Sequence, residues 1–158
     1  MPKMCYEQPE RSRLGEGHAS SVGVSVQVEA ILKKHVLVVD DEIGALTLIG
    51  IMLERGGFGV LKAKDARMAL SVLDESQPDL IILDVMMPGM DGIELCKVIR
   101  QRDVTKQTPI LILSARGDAE SIIKGIEAGA NDYLPKPILH HDLVSKVRSM
   151  LGESANEA

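Results

Sequence analysis

A chain of 158 residues, 45% apolar and 26% charged, has room for one domain with a substantial core and hardly enough for two. Its net charge of −5 gives no basis for a nucleic-acid or membrane partner, and no apolar run approaches the length of a membrane span. The two cysteines, Cys5 and Cys96, are too far apart for metal-ligand spacing; they fit a reduced cytosolic compartment and exclude a disulfide framework.

The opening residues, "MPKMCYEQPERSRLGEGH", lack the apolar stretch of a secretory signal, so a cytoplasmic location is expected. Residues 1–34 read as a partly disordered leader. Within it, Val22, Val24, Val26 and Val28 alternate as in a strand, while Val24, Val28, Ile31 and Leu32 share a helical face equally well. A loosely packed linker satisfies that pattern, and so does an added helix or strand at a dimer contact.

From His35 the rhythm is regular. "VLVVD" is a β-branched apolar run, as expected of a strand covered on both faces. "IGALTLIGIMLERGG" has helical spacing at Leu46, Ile49 and Leu53 and stops at Gly56-Gly57. "FGVLKA" is a second strand, and "DARMALSVLDESQ" a helix with Asp65 at its N-cap that ends before Pro78. "LIILD" is the third strand, "DGIELCKVIRQR" the third helix and "PILILSA" the fourth strand. "DAESIIKGIEAG" is a helix ended by Gly129, "DYLPK" a short fifth strand and "HHDLVSKVRSMLG" the closing helix. Five alternating strand–helix units predict a doubly wound α/β domain with a parallel sheet, over residues 35–152, followed by a polar tail, 153–158. Aromatic residues are 2% of the chain, so Val, Ile, Leu, Met and Ala must fill the core.

Ligands of open α/β sheets bind beyond the carboxyl ends of the strands, where strand order reverses. Here the first strand runs into Asp40, Asp41 and Glu42, the third ends on Asp84, the fourth on Ser114, and the fifth reaches Lys136. In the order 2-1-3-4-5, the first and third strands are neighbours at the switch point, and three carboxylates gather there. Such a cluster stays ionised only with compensation, for which Mg²⁺ with its preference for carboxylate oxygen and retained water is suited. Lys136 adds a positive charge, so the arrangement is shaped to receive a phosphoryl group.

"VLVVDDE", "PDLIILDVMMPGMDGIELC", "PILILSA" and "GANDYLPKP", in this order and spacing, resemble the receiver domain of two-component response regulators, of the stand-alone chemotaxis-like type. The resemblance implies a flavodoxin-like five-stranded sheet with five helices. It also implies that Asp84 is the phosphoacceptor, taking a phosphoryl group from a sensor histidine kinase or histidine phosphotransfer protein. Asp40 and Asp41 match the acidic pair of the metal site, Asp41 binding Mg²⁺ (or Mn²⁺) directly and Asp40 mainly through water. The Met86 carbonyl matches a third protein ligand. Lys136, Ser114 and the Ala115 amide match groups that hold phosphoryl oxygens. Ser114 and Tyr133 match a switch pair that reshapes the fourth helix, fifth strand and last helix, a surface for a partner or a second copy. A cis Lys136-Pro137 peptide is implied too.

Ile138, where an aromatic is common, and Ala66, where glycine is common, depart from the pattern away from the chemistry. Met86 and Arg116 stand where attacking water is admitted, and Met86 has no polar group to orient one; a long-lived phosphorylated state is expected. His140, His141 and the segment "RQRDVTKQ" read as solvated, Glu42 as solvent-facing or capping, and Cys96 as core. An FMN site is excluded by acids where a phosphate-binding loop is needed. An aspartate phosphatase is excluded by Met86, where a second acid is needed. A pseudo-receiver is disfavoured because every acid and the lysine are present. With little chain after the last helix, output through a protein contact is expected rather than through DNA or enzymatic activity; a fragment of a longer regulator is the alternative.

Overall fold

The computed structural model describes residues 33–115 and 117–153. The readings of the leader, the last five residues and Arg116 lie outside them. The strands are β1 (His35–Val39), β2 (Gly59–Ala63), β3 (Leu80–Asp84), β4 (Ile110–Ala115) and β5 (Asp132–Lys136). The helices are α1 (Ile43–Arg55), α2 (Ala66–Glu75), α3 (Gly92–Arg100), α4 (Ala119–Glu127) and α5 (His140–Met150). All neighbouring strands are parallel, in the order β2-β1-β3-β4-β5. The fold is the expected flavodoxin-like one.

Side chains alternate across the sheet and divide the core in two. Leu37, Val39, Ile81, Leu83, Ile110 and Ile112 face α2 and α3, with Ala128 and Ala130 joining them after α4. Val36, Val38, Leu80, Ile82, Leu111 and Leu113 face α1 and α5. Every residue of β3 is buried, so the sheet's central strand carries its terminal acid into the protein.

The helix ends explain where the elements stop. After α1, Gly57 takes φ +96°, the Phe58 amide donates to Leu53 O and the Gly57 amide to Glu54 O. This pair of bonds, with Leu53 and Phe58 buried together, is a Schellman cap. Asp65 caps α2 by accepting from the Met68 amide at 2.8 Å. Asp91 and Glu94 form a reciprocal capping box at the start of α3, with the D-x-x-E spacing such a box needs. The Lys136-Pro137 peptide is cis. Cys96 is free and fully buried in the core.

The segment "RQRDVTKQ" corrects the reading of a merely solvated loop. Thr105 is buried and its hydroxyl donates to Ile99 O at 2.7 Å. The half-buried Arg100 guanidinium donates to Gly129 O, Thr105 O and Asn131 Oδ1. Asn131 Oδ1 also accepts from the Ile110 amide. This clamp ties the end of α3 to the starts of β4 and β5, at the edge of the sheet opposite the acids. Among the described residues, no helix is long and apolar enough to cross a membrane.

Candidate functional site

β1 and β3 lie side by side, so the acids at their ends are brought together by strand pairing alone. Asp84 ends β3 opposite Leu113 and is 4% exposed; Asp40 follows β1 and is fully buried, while Asp41 is exposed. Oxygens of Asp40, Asp41 and Asp84 all lie within 4.8 Å of one another. Lys136, at the end of β5, reaches across: its Nζ is 3.1 Å from Asp84 Oδ1 and 3.4 Å from Asp40 Oδ2. Asp40 is oriented from its other side, where Oδ1 accepts from the Glu42 amide at 3.0 Å. Glu42 itself is exposed and makes no side-chain cap on α1.

Burial and then the charge of Asp40 push the Asp84 carboxyl up to about 6. The Lys136 ammonium and the Met86 amide, which donates to this carboxylate, pull it down without cancelling the rise. For Lys136, burial opposes the charged form, but the hydrogen bond and charge of Asp84, aided by Asp40, outweigh it and hold the pKa above the ordinary lysine value. One ammonium against three carboxylates leaves the pocket negative. Hard oxygen donors this close, partly open through Asp41, fit a hard divalent cation that keeps some of its water.

Ser114 lies near the end of β4 with its Oγ buried and, among the described residues, without a hydrogen-bond partner. A buried hydroxyl without a partner is unfavourable, and it has the donor that an oxygen-rich anion in the pocket would accept. Ala115, the last β4 residue, is exposed. Tyr133 is on the exposed flank of β5 rather than in the core. The Met86 side chain is 70% exposed, and no polar side-chain group stands at that position. His140 and His141 are exposed at the start of α5.

Gly92, the last glycine of the loop motif after Asp84, packs on the main chain of Asp84: a Cβ there would lie 2.2 Å from Asp84 O. The signal was a glycine inside a helical pattern, which costs stability unless packing requires it.

The chain has counterparts among known proteins. Residues 36–148 match the family model described as response regulator receiver domain. The chain is 42% identical over 123 residues to the alkaline phosphatase synthesis transcriptional regulatory protein PhoP of Bacillus subtilis (strain 168), covering 78% of this chain and 50% of that protein. It is 44% identical over 119 residues to the transcriptional regulatory protein CpxR of Escherichia coli (strain K12), covering 75% of this chain and 50% of that one. The chain thus spans about half the length of these curated relatives. Among solved structures, the chemotaxis response regulator CheY4 of Vibrio cholerae matches with a TM-score of 0.71 and 34% identity, covering 75% of this chain and 98% of that one. Sequence, sheet order and family model agree that this chain belongs to the response regulator receiver domain family.

Proposed function

We propose that Asp84 is the phosphoacceptor. Receivers are signalling phosphoacceptors in two-component systems rather than classical enzymes. A carboxylate oxygen of Asp84 attacks the phosphorus of a phosphohistidine on a sensor histidine kinase or phosphotransfer protein. The P–N bond breaks, the imidazole leaves with its electron pair, and an acyl phosphate forms. Asp41, Asp84 and the Met86 carbonyl, with Asp40 through water, would hold Mg²⁺ or Mn²⁺, which neutralises charge on the transferring group. Lys136 pairs with one phosphoryl oxygen, and Ser114 Oγ and the Ala115 amide donate to others.

The observation that carries this reading is the Lys136 ammonium at hydrogen-bond distance from Asp84, at the rim of a three-carboxylate cluster. Signalling then runs through Ser114 and Tyr133 to the face made by α4, β5 and α5, as a shift between two existing conformations. A downstream protein or a second copy of the chain reads that face in the cytoplasm. Met86 orients no water, so the self-catalysed loss of the phosphoryl group is slow.

The test is incubation with Mg²⁺ and acetyl phosphate followed by intact mass. A single phosphoryl gain, lost in Asp84→Ala and in EDTA, is the expected result. A chain that gains nothing and binds no Mg²⁺ overturns the proposal.

A further inference from the structure

We infer that Gly92 is a positioning residue, setting where the Asp84 carboxylate sits against Lys136 and the other acids; this rests on Asp84 being the phosphoacceptor. Gly92 opens α3 with ordinary helical backbone and is not among the glycines of positive φ. Alanine is favoured over glycine in such conformations, so the backbone does not call for glycine here. Space does. A Cβ would stand 2.2 Å from the Asp84 carbonyl oxygen, 2.9 Å from its carbon and 3.0 Å from Val85 Cα.

These are main-chain atoms, and no side-chain rotation moves them. The other tight glycines differ: Gly50 meets the end of Lys62, Gly59 the ring of His35, Gly125 the Cδ1 of Ile112 and Gly129 the stem of Arg100. Among the described glycines, Gly92 alone would bring its Cβ closer than 3.0 Å to main chain.

Neither partner can back away freely. β3 is fixed by pairing of Leu83 with Val39 and Ile112, and of Asp84 with Leu113. α3 is fixed by Leu95, Cys96 and Ile99, all fully buried. A side chain at position 92 therefore displaces the segment between them, Asp84 to Met86. That segment carries the carboxylate and, in β3, the pairing that fixes it against β4. The Gly92 amide in turn donates to Val85 O at 3.1 Å, so helix and loop are registered through this one contact.

The experiment compares Gly92→Ala with Gly125→Ala, both made in a Gly44→Ala parent. Gly44 is exposed with open space around it, so the parent gains helix propensity without touching the site. The rate of phosphoryl uptake at saturating acetyl phosphate is followed by intact mass across Mg²⁺ concentrations. Each rate is divided by the folded fraction from circular dichroism. Displacement of a reacting group by about an ångström costs about a hundredfold in rate. Gly92→Ala is expected to lose that much per folded molecule and to need more Mg²⁺ for half-maximal uptake. Gly125→Ala is expected to keep the parent's rate and midpoint. Parental behaviour in Gly92→Ala overturns the inference, as does an equal loss in Gly125→Ala. Failure of Gly92→Ala to fold also overturns it, because the contact then supports the whole fold rather than the site. A parent that takes up no phosphoryl group and binds no Mg²⁺ removes the phosphoacceptor reading, and this assignment falls with it.

Discussion

Asp84 holds a carboxylate where water scarcely reaches, beside a second buried carboxylate. Its pKa, raised from 3.8 to about 6 by burial first and Asp40 second, means that the folded state binds this proton more tightly than the unfolded chain. The stabilisation from that proton is complete below pH 3.8 and is lost as pH rises through about 6. Without metal at pH 7, the ionised group therefore costs on the order of 1–3 kcal/mol. Asp84→Asn should raise the urea midpoint of the metal-free protein at pH 7, with the gain gone at pH 4. A lower midpoint at pH 7 would mean that Lys136 outweighs burial. Ser114 makes the opposite kind of case. Its buried hydroxyl has no partner among the described residues, so Ser114→Ala should leave metal-free stability within about 1 kcal/mol while slowing phosphoryl uptake. A large loss of stability without slower uptake would reassign the hydroxyl to the core.

Elements differ in how firmly they are held. Within α4 only Gly125 is buried, whereas Ile123 and Ile126 are exposed; α3 buries Gly92, Leu95, Cys96 and Ile99. Amide exchange should therefore be faster in α4 than in α3, because local opening is easiest where little apolar surface is lost. Equal protection would count against α4 as part of a movable face. Arg100 anchors the far end of the same region through three hydrogen bonds to two connections. Arg100→Ala should cost about 2–3 kcal/mol in urea unfolding yet leave uptake per folded molecule unchanged, since the clamp lies at the opposite sheet edge. The strands and their terminal acids were legible because continuous apolar runs and an acid at a run's end are local signals. The Arg100 clamp was not, because it joins residues about thirty positions apart through turns whose geometry no single segment specifies. The Gly92 contact was hidden for a related reason: only the crossing of α3 over the end of β3 creates it. On α1 the helical spacing marks Leu46, Ile49 and Leu53, which are buried, but Ile43, Leu48 and Ile51 face outward, and composition alone does not distinguish the two sets.

Over the whole molecule the sheet is a frame that turns strand order into proximity. Acids from two neighbouring strands, a hydroxyl from a third and an ammonium from a fourth converge without any one segment containing the site. A cation that binds this folded arrangement and not the unfolded chain must stabilise the fold, by about 2.7 kcal/mol at a hundred times its dissociation constant. Adding Mg²⁺ should therefore raise the thermal midpoint, and EDTA should reverse the gain; Asp84→Ala should blunt it. An unchanged midpoint at millimolar Mg²⁺ would remove the metal from the scheme. The Lys136–Asp40 contact joins residues 96 positions apart. During synthesis the chain leaves the ribosome amino end first, so the acids emerge long before the lysine that faces them. A nascent chain halted before β5 carries the negative cluster uncompensated, and the ammonium that faces it arrives only once the last strand has docked.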